Sequence, residues 1–310
     1  MNRPINYRHE DLNMTDITVT PLSPAVGAEI GGVDLARPLD QATFDAIHSA
    51  WMNHLVVVFR GQALTDPQLE QFSARLGTLD PKPVYTDEVL DTTTSDYVCV
   101  ISNVKIGGKA IGDLGDSEAV WHMDMTYNEV PPLGSALYAL EVPPSGGDTG
   151  FANMYLAYET LPPELKARVA MLQCKHDATR NSAGGIRRGM TATDDPRLSA
   201  GAVHPLVRTH PVTGRNALFL GRRHNAYIPG LTLEESEVLL NELWAHATQP
   251  RFSWHHAWRK GDLVLWDNRC VMHRRDAFDP ATRRVMHRTQ IKGDKPVFRA
   301  QTPSRSALHA

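Results

Sequence analysis

The chain of 310 residues is 42% hydrophobic and 22% charged, a composition typical of a globular protein with a sizeable core, and this excludes disorder along the whole length. A formal net charge of -3 provides no global field that would attract nucleic acid or an anionic membrane, so we expect neither partner. The three cysteines, Cys99, Cys174 and Cys270, lie far apart and indicate neither a disulfide framework nor a zinc knuckle.

The two ends of the chain are polar. We expect a loose N-terminal arm at 1–16 and a C-terminal tail at 298–310 around one domain at 17–297. The N-terminal stretch has no apolar segment like that of a secretory signal, and no run of 18 apolar residues occurs elsewhere. We therefore expect a cytoplasmic protein.

Hydrophobic periodicity predicts strands interrupted by a few helices. In chain order the predicted elements are a helix at 40–53, a strand at 55–59, a helix beginning at Thr65, strands at 97–101 and 136–142, helices at 154–160, 162–173 and 232–248, and strands at 252–258, 263–267 and 284–291. Without a regular βαβ repeat, this order favours a mainly β protein, a sandwich or barrel with flanking helices, over a doubly wound fold.

Two details of this pattern can be tested directly. Helix 232–248 opens with a Thr232/Glu235 capping box, and Val238, Leu239, Leu243 and Ala247 are predicted to form its buried stripe. The stretches 87–118 and 177–202 are predicted to be long loops, with a single strand in the first, and we hypothesise that both close as lids.

The stretch WHMDMTY at 121–127 contains a histidine and a carboxylate two residues apart. If it is extended, His122 and Asp124 lie on the same face, because side chains alternate along a strand. Two histidines and one carboxylate on one face of a metal are the ligand set of non-haem iron oxygenases. By itself the His-x-Asp pair is a weak signal, and an exposed pair on a strand remains an alternative.

A third ligand is predicted from the C-terminal strands. His273 follows the stretch LVLWDNRCVM at 263–272, and eleven residues later Arg284 begins a strand on which Arg284, Met286, Arg288 and Gln290 share one face. Arginine binds planar carboxylates in bidentate fashion, so two inward arginines favour an anionic ligand; a solvent-exposed face is the alternative. Rival third ligands are His255 and His256, which lack the downstream arginine spacing, and His287, which lies on the opposite face.

The chain resembles the taurine / 2,4-dichlorophenoxyacetate dioxygenase family from about residue 17 to residue 297. The resemblance is carried by GAEIGGVDL at 27–35, LVVVFRGQ at 55–62, WHMD at 121–124, GGDT at 146–149, VHPLVRTHPVTGR at 203–215, WDNRCVMH at 266–273 and RRVMHR at 283–288.

What this resemblance implies is a double-stranded β-helix (jelly-roll) core and a cofactor set of Fe(II), 2-oxoglutarate and O2. It implies iron ligation by His122, Asp124 and His273, and binding of 2-oxoglutarate by Thr149 and Arg284. The implied reaction hydroxylates a substrate while 2-oxoglutarate is converted to succinate and CO2. The family commonly forms dimers or tetramers, so a homo-oligomer is expected.

The implied substrate is a small organic anion, a carboxylate or sulfonate such as an aryloxyalkanoate. The resemblance places Arg288 on the anionic group and Tyr85 in the pocket wall, with Lys82 as a further cation. Lys82 replaces a histidine of the taurine enzyme, and Glu118 replaces an asparagine, which argues against taurine itself. The alternative interpretation of Lys82 and Glu118 is that each is an exposed charge on a loop.

Two other classes of protein are compatible with the same residues. A zinc hydrolase could use the same His/Asp/His set, although the sequence lacks HExxH. A jelly-roll binding protein without catalysis is the second alternative. Oxygen-dependent formation of succinate separates the dioxygenase from both.

Overall fold

Strands dominate the computed structural model, which describes residues 17–82, 89–114, 119–187, 189–221 and 224–300. The strands are β1 Thr18–Pro21, β2 Ala28–Gly31, β3 Val56–Phe59, β4 Cys99–Ser102, β5 Lys105–Ile106, β6 Lys109–Ala110, β7 Asp113–Leu114, β8 Ala119–His122, β9 Gly134–Glu141, β10 Thr149–Asn153, β11 Gln173–Lys175, β12 Val203–Pro205, β13 Val207–Thr209, β14 Asn216–Leu218, β15 Ser253–His256, β16 Leu263–Asp267, β17 Val271–Arg275 and β18 Val285–Ile291. The helices are α1 Gln41–His54, α2 Asp66–Ala74, α3 Met154–Glu159, α4 Pro163–Ala170 and α5 Leu233–Ala247, and Pro250–Phe252 forms a 3-10 turn.

Two sheets enclose the main core. The larger has the strand order β1-β2-β3-β16-β9-β18-β4-β7, and the smaller has the order β15-β10-β17-β8. Side chains from both sheets meet in one hydrophobic cluster, for example Trp266 of the large sheet and Phe151 of the small one, whose ring centroids are 5.8 Å apart. The predicted mainly β architecture with flanking helices is confirmed.

Helices α1 and α2 cover the other face of the large sheet. Asp40 caps α1 by accepting a hydrogen bond from the Thr43 amide, and Ile47 and Trp51 of this helix are buried against the sheet. Thr65 and Gln68 form a capping box at the start of α2. This second core fixes the orientation of β16 and β18, which carry site residues on their opposite faces.

Most predicted elements occur within a few residues of the expected positions, and three details differ. The Thr232/Glu235 capping box of α5 is present, but Val238 is 64% exposed and the buried positions include Leu240 and Trp244 instead. The reason is geometric: Leu239, Leu243 and Ala247 already define the buried face, and Leu240 lies within its arc whereas Val238 falls outside it.

The strand predicted to carry both His122 and Asp124 ends at His122. Asp124 lies in the following turn, where Met125 has a φ of +50°. The predicted loop at 87–118 contains, in its described part, β4, the β5/β6 hairpin and β7, so it is more ordered than expected. In 177–202 the described residues contain a single bridge, between Arg180 and Ile186. Within the described ranges no helix is long and apolar enough to cross a membrane.

Candidate active site

A cavity of about 840 Å³ opens between the two sheets. Its polar lining includes His122, Asp124, Thr149, His273, Arg275, Arg284, Arg288 and Gln290. Its apolar lining includes Ile101, Met125, Val130, Leu137, Ile186, Met190 and Trp266. Residues separated by more than 150 positions in the sequence therefore share one chamber.

Sheet register brings the two predicted histidine ligands together. β8 and β17 are antiparallel neighbours in which His122 faces His273, and the ring centroids lie 4.1 Å apart. The Nε2 atoms of His122 and His273 are 3.6 and 3.8 Å from Oδ1 of Asp124. The three ligand atoms thus point at one small volume, which could hold a metal ion.

Hydrogen bonds fix which atoms face that volume. His122 Nδ1 donates to the carbonyl of Val120 at 2.7 Å, which leaves Nε2 as the unprotonated nitrogen of the neutral ring. Oδ2 of Asp124 is approached instead by Ser135 Oγ at 3.2 Å, Gln290 Nε2 at 3.4 Å and Arg288 Nη1 at 3.6 Å. One carboxylate oxygen is therefore anchored by protein groups, and the other faces the histidines.

The charge of Asp124 is stabilised despite its burial. Burial raises the pKa of this carboxyl, but its charged neighbours, the Arg288 guanidinium foremost, outweigh this effect and hold the pKa well below its usual range. A carboxylate that stays ionised is the form that binds a metal.

Asn268 links the backbone of Asp124 to the turn that precedes the strand of His273. Its Oδ1 accepts a hydrogen bond from the Asp124 amide at 2.7 Å, and its Nδ2 donates to the carbonyls of Asp124 and Pro132, both at 3.0 Å. Asn268 is fully buried and lies in the turn between β16 and β17, the strand that carries His273. The same side chain thereby holds the backbone of Asp124 on the turn that leads to His273.

A neighbouring group of possible ligands, His210, Asp267 and Cys270, has a structural role instead. His210 Nδ1 accepts backbone N–H groups at 3.1 and 3.2 Å, so Nε2 carries the proton and donates to Asp267 at 3.0 Å. Asp267 also binds the Arg269 guanidinium, at 2.6 and 2.8 Å. The carboxylate is fully used by these donors, and the network anchors the β16–β17 turn.

Thr149 and Arg284 lie at another part of the cavity. Trp258 Nε1 donates to Thr149 Oγ1 at 2.9 Å, so the threonine proton remains available for an acceptor in the cavity. Arg284 is 2% exposed, and no carboxylate among the described residues lies within ion-pair distance of it. Burial and the nearby charge of Arg275 lower its pKa, an effect that Asp148 offsets only in part. An anionic ligand would relieve this cost.

The alternation predicted for β18 is observed. Arg284, Arg288 and Gln290 line the cavity, whereas His287 and Thr289 point to α2, where they contact Asp66 and Ser73. The predicted exclusion of His287 as a ligand agrees with this geometry.

Comparison with known proteins shows which family the chain belongs to. The model of the family described as "Taurine catabolism dioxygenase TauD, TfdA family" matches residues 18–290. The chain belongs to this family.

Named relatives of the TauD/TfdA family cover nearly the whole chain. An (S)-phenoxypropionate/alpha-ketoglutarate-dioxygenase of Sphingobium herbicidovorans is 36% identical over 89% of this chain and 95% of its own. An alpha-ketoglutarate-dependent 2,4-dichlorophenoxyacetate dioxygenase of Cupriavidus pinatubonensis is 33% identical over 91% and 99%. The present chain is accordingly a metal-binding, 2-oxoglutarate-dependent dioxygenase of the TauD/TfdA type.

Solved structures of TauD/TfdA relatives agree in fold. A taurine dioxygenase from Burkholderia xenovorans is 36% identical, covers 91% of this chain and 93% of its own, and superposes with a TM-score of 0.74. The structure of AAD-2 in complex with Mn(II) and N-oxalylglycine is 31% identical over 90% and 98%, with a TM-score of 0.73.

Not every predicted site residue of this TauD/TfdA member is brought to the cavity. Lys82 pairs with Asp91 at 2.5 Å and donates to Thr93 at 2.9 Å, and it does not line the cavity, in contrast to its neighbour Pro81. Tyr85 and Glu118 lie outside the described residues. A substrate role for Lys82 would require it to leave an internal ion pair.

The two other rival histidines have partners away from the cavity. His255 lies 3.4 Å from Asp276, and His256 lies 3.1 Å from Asp262. Neither belongs to the cavity lining, so the choice of His273 among the candidate histidines agrees with the geometry.

Sequence reasoning missed several residues of the site. Asn268 is not among the predicted site residues, because no local pattern shows that its side chain bonds a backbone 144 positions away. Arg275 was detectable, since it lies two residues after His273 on an alternating strand. Arg187, which donates to the Tyr127 hydroxyl and stacks on that ring at 3.9 Å, gave no signal in the sequence.

Proposed function

We propose that His122, Asp124 and His273 bind Fe(II) and that Thr149 and Arg284 hold 2-oxoglutarate. We also propose that the substrate is a small organic anion that becomes hydroxylated. The observation that carries the proposal is the approach of both histidine Nε2 atoms to the same oxygen of a buried, ionised Asp124. Two imidazoles and one carboxylate on one side of the ion suit Fe(II) that must also bind a co-substrate and O2.

The chain's own residues supply binding, orientation and exclusion of water. When bound, Fe(II) with 2-oxoglutarate and O2 supplies the oxidising chemistry, which yields succinate, CO2 and the hydroxylated substrate. Asp124 contributes a negative charge held in place by Ser135 and Gln290. The buried Arg284 can donate a charge-assisted hydrogen bond to the distal carboxylate of 2-oxoglutarate, and the Thr149 hydroxyl can donate to the same carboxylate.

The substrate proposal rests on Arg288 and the apolar wall. Arg288 is a cation in the same cavity as the ligand set, 3.6 Å from Asp124. Leu137, Met125 and Val130 line the same space and suit an apolar or aromatic body. An anionic head with an aromatic body describes an aryloxyalkanoate, the substrate class in the names of two relatives. Sulfonates and sulfate esters share the anionic head, and one relative is named as a sulfate ester dioxygenase.

Two facing sheets with mostly antiparallel pairing support a double-stranded β-helix (jelly-roll) core. A cytoplasmic location, a dimeric or tetrameric state and a single domain at 17–297 stay predictions, as does closure of the loops 87–118 and 177–202. Unchanged protease sensitivity of both loops on addition of substrate would contradict lid closure.

The test is a screen for substrate-triggered O2 consumption. Purified protein is loaded anaerobically with Fe(II) and 2-oxoglutarate, then exposed to O2 with aryloxyalkanoates, alkylsulfonates or alkyl sulfate esters, and succinate is measured. We expect at least one class to give succinate in proportion to hydroxylated product, with no succinate under argon. An Asp124→Ala variant is the control for metal dependence. Failure of every anion, together with no change in the visible spectrum on adding Fe(II) and 2-oxoglutarate, would favour the inactive binding protein.

A further inference from the structure

Arg187 and Tyr127 form one wall of the cavity, and neither has a role in the function proposed above. The Arg187 guanidinium lies over the Tyr127 ring, with its central carbon 3.9 Å from the ring centroid, and donates a hydrogen bond to the Tyr127 hydroxyl. Nε of the same guanidinium donates to the carbonyl of Arg180 at 3.3 Å. These contacts hold a planar cation in one orientation at the cavity wall.

The segment that carries Arg187 is bonded to the strand of a proposed iron ligand. The Arg187 amide donates to the Thr179 carbonyl at 2.7 Å. The Val120 amide on β8 donates to the Ser182 carbonyl at 3.1 Å, and the Val120 carbonyl accepts the hydrogen bond from His122. Arg187 therefore lies on the same hydrogen-bonded framework as the proposed metal ligands.

Arg187 brings to the cavity a positive charge that no described carboxylate neutralises. Within the part of the chain that the structure describes, no Asp or Glu lies within ion-pair distance of its guanidinium, and this includes Asp80 and Asp124 of the cavity lining. A guanidinium has five N–H donors, and the Tyr127 hydroxyl and the Arg180 carbonyl accept from two of them. The partly buried side chain thus has both charge and donors left for a ligand.

From this juxtaposition we infer that Arg187 binds a second anionic group of the substrate, at the end opposite the group held by Arg288. The inference rests on the proposed function, which assigns the first anionic group to Arg288. Both arginines line one cavity of about 840 Å³, a size usual for sites that bind organic ligands. A guanidinium already oriented by Tyr127 suits a planar carboxylate. The substrate class that follows is an aryloxyalkanoate with a carboxylate on its ring.

The experiment compares probes that share one anionic head and differ on the ring. Phenoxyacetate, 3-carboxyphenoxyacetate and 4-carboxyphenoxyacetate are titrated calorimetrically into protein loaded with Mn(II) and 2-oxoglutarate under argon, so that affinity is measured without turnover. We expect the unsubstituted protein to bind at least one dicarboxylate about 10- to 100-fold more tightly than phenoxyacetate, because a charge-assisted hydrogen bond is added. Arg187→Gln should abolish this preference and keep phenoxyacetate affinity within about twofold. Arg187→Lys, which keeps the charge, should retain part of the preference.

Arg197→Gln is the matched control. Arg197 lies ten positions further along the same loop, pairs with Asp195 at 2.7 Å and does not line the cavity, so its replacement should leave all three affinities within about twofold. Arg288→Gln tests the proposed function in the same assay. It should weaken the three probes to a similar extent, because all of them carry the oxyacetate head.

Three results would overturn the inference. Equal losses of all probes in Arg187→Gln would indicate that Arg187 stacks on the ring or has a structural role. Absence of a dicarboxylate preference in the unsubstituted protein, with phenoxyacetate still dependent on Arg288, would overturn the inference and leave the proposed function standing. Failure of all three probes on protein that binds 2-oxoglutarate would overturn the inference and the aryloxyalkanoate assignment together.

Discussion

Replacing Asn268 with alanine should weaken metal binding, although its side chain contacts none of the atoms proposed to bind the metal. Its side chain makes three hydrogen bonds, two of them to the amide and the carbonyl of Asp124. The substitution leaves one buried N–H and two buried carbonyls without these partners, and each orphaned group costs about 1–3 kcal/mol. The smallest expected loss of unfolding free energy is therefore about 3 kcal/mol.

The same substitution frees the Asp124 backbone from the β16–β17 turn. Loss of a group that orients a metal ligand typically lowers metal affinity by about 10- to 100-fold, and we expect a decrease in this range for Mn(II). Affinity is measured by titration of the metal-free protein followed by electron paramagnetic resonance of free Mn(II), and stability by urea unfolding without metal.

Asn153 offers a matched control. It is also buried and makes three hydrogen bonds to backbone groups, one to Ala25 and two at the start of α3, none of them to a candidate ligand. Asn153→Ala should lose a similar amount of stability and keep its Mn(II) affinity. Equal Mn(II) affinities in the two variants would refute the positioning argument and leave Asn268 with a purely structural role.

Arg288→Gln should raise the KM for the anionic substrate by about 10- to 100-fold, because a charge-assisted hydrogen bond is lost, whereas Arg284→Gln should raise the KM for 2-oxoglutarate; an unchanged substrate KM in Arg288→Gln would contradict the anion anchor. Asp267→Asn should cost about 3–5 kcal/mol, because Arg269 and His210 lose their buried partner. Although burial raises the pKa of Asp267, Arg269 and His210 depress it below its ordinary value of 3.8, so its contribution to stability is present above pH 3.8 and is lost as the pH falls through the depressed pKa. Urea unfolding of the wild type between pH 2.5 and 6 should show this loss, and the variant should lack that component. Leu240→Ala should cost about 2–5 kcal/mol and Val238→Ala less than about 0.5 kcal/mol, and the reverse order in thermal unfolding would contradict the observed face of α5.

Local patterns in the sequence accounted for much of the fold. The predicted helix starts at Asp40, Thr65 and Thr232 are the residues that cap α1, α2 and α5 in the structure. The alternation of 284–291 assigned Arg284 and Arg288 to one face and His287 to the other, because a strand has a strict period of two. The stripe of α5 was harder to predict, since Val238 and Leu240 are both apolar and flank Leu239 on the helix.

The chemistry of the site was also visible in the sequence, as residue types at fixed spacings. His122 and Asp124 are two residues apart, and His273 and Arg284 are eleven apart, so each pair is confined by a short piece of chain. Spacing along the chain left open whether these pairs meet, and the sequence implied their union only through its family resemblance. The antiparallel register of β8 with β17 places His122 opposite His273, and that pairing depends on packing across the whole small sheet.

Only the tertiary structure showed which side chains support the ligands and which are occupied elsewhere. Asn268 reaches a backbone 144 positions away, Arg275 meets Thr149 through sheet register, and Lys82 pairs with Asp91 instead of lining the cavity. The physical reason is that hydrogen bonds and charge repulsion act over a few ångströms in space. Spacing along the chain determines such distances within a strand or helix, whereas between elements they are determined by how the sheets pack.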